Sequence, residues 1–254
     1  MVAQSDKPAF DPKEDRSQEY RDGTGRAVRP RDAATLILVR RDTATPQILM
    51  GQRHANHKFM PNKFVFPGGR VDPTDSRLTP IEDLAPHVAE RLMTRMRGTP
   101  SLGRARGLAL AAIRETFEET GLLVGKPGEL AVKTRHEGWR NFLDRGIAPA
   151  LGSIDFIARA ITPPYRTRRF DTRFFIADAE LIQGDIHDTA DASGELLGLH
   201  WLTIADARDL DLPNITRMIL DELDERLNLT TAKQKERAVP FVHFRRGQPV
   251  RDKI

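Results

Sequence analysis

The segment Arg114-Glu-Thr-Phe-Glu-Glu-Thr-Gly-Leu122 concentrates carboxylates at spacings that matter for chemistry. Glu115, Glu118 and Glu119 are three and four residues apart, so on a helix of 3.6 residues per turn they share one face. Leu110, Ile113 and Phe117 take the opposite face, which is expected to be core. Like charges so spaced destabilise a helix by about 0.2–0.5 kcal/mol per pair, and the C-terminal end of the helix dipole disfavours anions as well. A bound cation removes both penalties, and hard oxygen ligands suit Mg²⁺ or Mn²⁺. The alternative for an isolated string of this kind is a solvated helix face. Upstream, Pro67-Gly68-Gly69 forms a turn without side chains, where a backbone carbonyl can approach an ion.

The elements that must position these groups follow from periodicity. AATLILVRRD from Ala33, QILMGQR and KFVFPGG read as consecutive short strands. Residues 81–97 place Leu84, Val88, Leu92 and Met96 four apart, which predicts an amphipathic helix closed by Gly98-Thr-Pro100. Leu108 to Thr120 predicts a second helix, with Gly121 ending it in a left-handed conformation. Further strands are expected at 151–161, 169–177 and 196–202, and a helix near 215–228. The order is that of an α/β or α+β domain, and no internal repeat is present. Residues 1–32, rich in Pro, Asp, Lys, Ser and Gln, read as a loosely ordered arm before a domain over 33–254.

Composition narrows the chemistry. The chain of 254 residues is 39% hydrophobic and 30% charged, which excludes wholesale disorder and fibrous repeats. Cysteine is absent, so a disulfide framework, a thiol nucleophile and Cys-based metal sites are excluded. A net charge of +4 leaves nucleic acid weakly supported, and no base-stacking surface is suggested by two Trp and two Tyr. No run approaches the ~18 apolar residues that span a membrane, and no targeting signal is evident, so a cytoplasmic protein is expected.

FVFPGGRVDPTD and RETFEETGL together resemble the signature of Nudix hydrolases, G-x5-E-x7-R-E-U-x-E-E-x-G-U, where U is bulky and apolar. Gly69 fills the first glycine and Asp75 stands where the family has Glu; Arg114, Glu115, Glu118, Glu119, Gly121 and Leu122 match the second half. Thr116 occupies the first apolar position, and 31 residues are inserted between the halves. The split box, with ITPP (161–164), RRFDTRFF (168–175) and GLHWL (198–202), is similar to the branch containing peroxisomal-type coenzyme A diphosphatases and their bacterial relatives. The resemblance implies an α/β Nudix fold, a mixed sheet between helices, with a helical insertion at about 76–106.

It also implies Mg²⁺- or Mn²⁺-dependent hydrolysis of a diphosphate in a nucleoside-diphosphate-linked metabolite. Glu118 and Glu119 are the implied metal ligands, with Glu115 a ligand or proton acceptor and the Gly69 carbonyl completing the shell. Arg114 is expected to orient the helix by pairing with Asp75 or Glu115. Glu195, before the late strand, is the candidate for a base outside the box, ahead of Asp185, Asp188 and Asp191; a surface acid is the alternative. His54 and His57 read as surface or packing residues, and Trp139 and Trp201 as core.

For the substrate, LMGQRHANHKFMPNKFVFPGG keeps Arg53 and the closing FPGG of the second motif of coenzyme A-cleaving relatives, while Lys58, Met60 and Asn62 replace its second Arg, His and Gly. Arg53, Lys58, Arg168 and Arg169 are the expected phosphate-facing cations, a solvated strand entry being the alternative for the last two. Coenzyme A or an acyl derivative is the first expectation, then ADP-ribose, NADH or a dinucleotide. A non-catalytic nucleotide-binding module is the rival class, and a homodimer stays open. The partner is a small-molecule diphosphate, with no nucleic acid and no membrane.

Overall fold

The computed structural model describes residues 28–55, 60–130, 134–189 and 191–254. Its strands are β1 (Arg31–Arg40), β2 (Gln47–Arg53), β3 (Phe64–Val65), β4 (Gly68–Arg70), β5 (Leu123–Val124), β6 (Lys126–Pro127), β7 (Ile147–Ala148), β8 (Asp155–Ile161), β9 (Phe170–Asp178), β10 (Ile182–Gln183), β11 (Leu196–Thr203), β12 (Pro240–Arg245) and β13 (Gln248–Lys253). The helices are α1 (Pro86–Met93), α2 (Leu102–Thr120), α3 (Glu137–Leu143), α4 (Ile204–Arg208), α5 (Asn214–Leu227) and α6 (Thr231–Glu236).

The main sheet runs β11-β2-β1-β9-β8-β12-β13, with β3 on β2 and β4 on β1. It is mixed: β1 pairs parallel with β9 and antiparallel with β2 and β4. Side chains alternate across a strand, so a strand covered on both faces is apolar throughout. In β1, Leu36 and Leu38 pack toward α1, α2 and α3, and Ile37 and Val39 pack toward α4 and α5. The sheet is therefore sandwiched between helices. Among the described residues, no helix is long and apolar enough to cross a membrane.

Several boundaries differ from the sequence reading. The helix expected over 81–97 is confined to 86–93, because Pro86 starts it and Arg95 takes φ 56° just beyond. Leu84 and Met96 are buried from the flanking loops instead. The helix expected from Leu108 begins at Leu102, where the Ser101 side chain accepts from the Arg104 N–H at 3.3 Å. Strand β1 begins at Arg31, two residues before Ala33, because pairing with β9 extends to Arg31↔Phe170. Of the expected arm, residues 1–27 lie outside the described residues.

Candidate active site

Helix α2 is packed against the sheet through Leu108, Ala109, Ala112 and Ile113, and Gly121 ends it at φ 79° with its N–H donating to the Phe117 carbonyl at 2.7 Å. The alternative of a solvated helix face does not hold for the three glutamates. Side-chain exposure falls from 30% at Glu118 to 17% at Glu115, and Glu119 is buried, at 5%. The Gly68-Gly69 turn, held on β1 by Ala34↔Gly69 pairing, lies directly over them. The Gly68 N–H donates to Glu119 Oε2 at 2.8 Å, and a Cβ on Gly69 would overlap the Glu115 carboxylate. Only glycine at position 69 admits that approach.

Arg114 is the structural centre of the cluster. Its Nε and Nη2 form a two-pronged bond to buried Asp75, at 2.8 and 3.1 Å. Nη1 donates to Glu115 and Glu118, each at 2.9 Å, and Nη2 to the Arg70 carbonyl at 2.9 Å. Both partners expected of Arg114 are present, and Asp75 serves as its clamp. Trp139, read as core packing, is buried but also donates its indole N–H to Asp75 at 2.7 Å. His136 lies 3.8 Å from Glu118.

Burial dominates the electrostatics here. It pushes Glu115 up to about 7 against the lowering influence of Arg114, with Glu118 adding repulsion. Burial pushes Glu119 up to about 8, countered by the Gly68 N–H and the Arg53 charge. Two desolvated carboxylates in mutual repulsion suit a divalent cation, and oxygen donors suit Mg²⁺ or Mn²⁺. Among the described residues, no group of three or more acidic or histidine side chains converges as a finished cage.

Two cavities flank the glutamates. The first, about 610 Å³, is lined by Gly69, Glu115, Glu119 and Glu195 together with Arg53, Arg168 and Arg169. The second, about 860 Å³, takes Glu115, Glu118, Glu119 and Glu195 with His136 and Asp191. Glu195 thus reaches the ridge that both cavities share, positioned by β11 beside β2 (Leu196↔Arg53).

Comparison with known proteins places this geometry. The sequence matches no family model. Over 98 residues it is 36% identical to nudix hydrolase 7 of Caenorhabditis elegans, covering 39% of this chain; the match spans about a quarter (24%) of that relative's length. The crystal structure of a NUDIX hydrolase from Alicyclobacillus acidocaldarius superposes with a TM-score of 0.54 at 26% identity, over 76% of this chain and 90% of that one. The chain has the Nudix fold. These likenesses support the Nudix hydrolase superfamily. The NUDIX domain of Shewanella oneidensis NrtR, in complex with ADP ribose, aligns at a TM-score of 0.43 and 15% identity, over 86% of this chain and 94% of that one.

Within this Nudix fold, Arg53, Gly69, Glu115, Glu119, Arg168, Arg169 and Glu195 line a single cavity, and Glu118 faces the other. Lys58 and His57 lie outside the described residues. Asp191 pairs with Arg145 at 2.6 Å in the second cavity, whereas Asp185 and Asp188 line neither. Sequence reasoning missed Arg29, Arg31 and Arg70, which join the arginine-lined cavity. Their one local signal is the Arg29-Pro-Arg31 string preceding β1.

Proposed function

We propose that the protein is a Nudix-type diphosphatase that hydrolyses a nucleoside-diphosphate-linked metabolite with Mg²⁺ or Mn²⁺, coenzyme A or an acyl derivative being the first substrate to test. One observation carries this reading: the buried, mutually repelling Glu115 and Glu119 open onto a cavity walled by arginines. Acid to hold a cation and base to hold phosphate are adjacent, which is what cleavage of a diphosphate requires.

Glu115, Glu118, Glu119 and the Gly69 carbonyl would hold a divalent cation, which when bound would supply phosphate charge neutralisation and a more acidic water. The chain's own groups do the rest. The Gly68 N–H fixes Glu119, and Arg114 fixes the Glu115 and Glu118 rotamers from below. Arg53, whose charge reaches Glu119, orients the phosphates in line for attack, and Arg168 and Arg169 line the same cavity. Glu195, on the ridge between the cavities, accepts the proton of the attacking water as its oxygen bonds to phosphorus and the anhydride P–O bond breaks. Arg53 and the FPGG turn, retained from the second upstream motif, support coenzyme A as substrate.

The test is Mg²⁺- or Mn²⁺-dependent turnover of coenzyme A, acetyl-coenzyme A, ADP-ribose, NADH and diadenosine polyphosphates by the purified chain. Release of 3′,5′-ADP from coenzyme A is the expected result, lost in Glu119→Gln. Cleavage of another member alone reassigns the substrate, turnover untouched in Glu119→Gln removes the metal site, and activity on none favours a binding module.

A further inference from the structure

The arginine-lined cavity holds more positive charge than the cleaved diphosphate calls for. Arg29, Arg31, Arg53, Arg70, Arg168 and Arg169 line it against three carboxylates, Glu115, Glu119 and Glu195. Cations held by the glutamates would themselves offset a diphosphate. Among the described residues, no carboxylate forms an ion pair with Arg29, Arg31, Arg70 or Arg168. Guanidinium groups that face a cavity without a carboxylate partner of their own match phosphate oxygens, which they bind in a two-pronged manner.

Topology gathers these arginines at one place. Strands β1 and β9 run parallel and begin together, Arg31 beside Phe170, with the Arg31 N–H donating to the Arg169 carbonyl at 2.9 Å. Arg169 turns its guanidinium onto the Val28 and Thr162 carbonyls, each at 2.9 Å, and so ties the approach to β1 against the loop before β9. Arg29, Arg31 and Arg168 thereby line the end of the cavity at the start of β1 and β9, its mouth, while Gly69 and the glutamates, further along β1, line its floor. Gly69 pairs with Ala34. From Arg31 to Ala34 is three residues, about 10 Å along an extended strand.

We propose that Arg29, Arg31 and Arg168 bind a further phosphate of the substrate, distinct from the diphosphate that is cut. The substrate class is then a nucleoside diphosphate derivative carrying an additional phosphate, either on the ribose or in a longer polyphosphate chain. Arg169 is a positioning residue for that mouth. The proposal rests on the diphosphatase reading for the chemistry at the floor, but the phosphate subsite is measurable without turnover.

Titration calorimetry of the full chain in chelator tests it, with AMP, 3′,5′-ADP and ATP as probes. A ribose-borne phosphate predicts 3′,5′-ADP binding at least about tenfold tighter than AMP; a linear chain predicts that gap for ATP instead. Either gap should close in the Arg31→Gln/Arg168→Gln double variant and survive in Glu119→Gln. Equal binding of the three probes, or a gap unchanged in the double variant, overturns the subsite. Turnover by the wild-type chain is then scored separately. A gap without Mg²⁺-dependent cleavage of any diphosphate leaves the subsite standing and removes the diphosphatase reading, and cleavage without a gap does the reverse.

Discussion

The indole N–H of Trp139 and the backbone N–H of Asp72 each hold one oxygen of Asp75, at 2.7 Å, so that the Asp75 carboxylate faces Arg114 with both oxygens oriented. Arg114 in turn grips Glu115 and Glu118. The site's carboxylates are therefore positioned from α3 through two buried intermediaries. Trp139→Phe keeps the ring packing with Phe142 and deletes one charge-assisted bond, so stability should fall by about 1.5–3 kcal/mol. Metal affinity should weaken with it, because orienting groups behind ligands typically carry about 10- to 100-fold. Denaturant melts and Mg²⁺ titration of activity check the two effects, and an unchanged Mg²⁺ requirement would disprove the positioning role.

Gly69 makes a narrower point. A Cβ there overlaps the Glu115 carboxylate, while the backbone of β4 stays paired to β1. Gly69→Ala should displace Glu115 and lower kcat about a hundredfold, the scale expected when a reacting group moves by about 1 Å. Far-ultraviolet circular dichroism should remain that of the parent chain.

Arg114, Glu115, Glu118 and Glu119 were legible because a helix turns local spacing into geometry, and Gly121 marks where it ends. The direction of each side chain was not. Glu119 is buried because the Gly68 turn, 51 residues upstream, closes over it. Trp139 meets Asp75 across 64 residues, and Arg31 meets Arg169 through a parallel pairing that no local pattern announces. The β12–β13 hairpin offers the sequence only its Arg246-Gly247 pair as a signal, and both residues take positive φ, 52° and 80°, in the two-residue loop.

The raised carboxylates give the metal-free chain a definite pH response. Burial lifts Glu115 to about 7 and Glu119 to about 8 from an ordinary 4.5. A carboxylate lifted in the folded state costs nothing below its unfolded value, and the penalty grows as pH rises toward the folded value. In chelator, the thermal midpoint should therefore fall between pH 5 and pH 8. Glu119→Gln should flatten that fall, and Mg²⁺ at pH 8 should restore the parent midpoint without helping the variant. A midpoint that climbs over this range would contradict the buried placement of Glu119.

The last expectation concerns what holds the arginine mouth together. Arg159 binds Asp171 through two bonds of 2.8 Å, Arg173 reaches the same carboxylate at 3.1 Å and Asp32 at 2.7 Å, and all but Asp32 are buried. Phe241 of β12 covers the Arg159 guanidinium at 4.3 Å. Asp171 follows Phe170 at the start of β9 and pairs in register with Asp32 of β1, so the network lies at the end of the sheet where β1 carries Arg31 and the loop before β9 carries Arg168. Removing the shared anion leaves two buried guanidinium groups with too little compensation, at a cost of about 3–5 kcal/mol. Asp171→Asn should lower the denaturation midpoint accordingly. Replacing the cations too, in Arg159→Met/Asp171→Leu/Arg173→Met, should recover much of the loss, because apolar groups of similar volume need no partner. If Asp171→Asn melts like the parent chain, the buried network does not secure this end of the sheet.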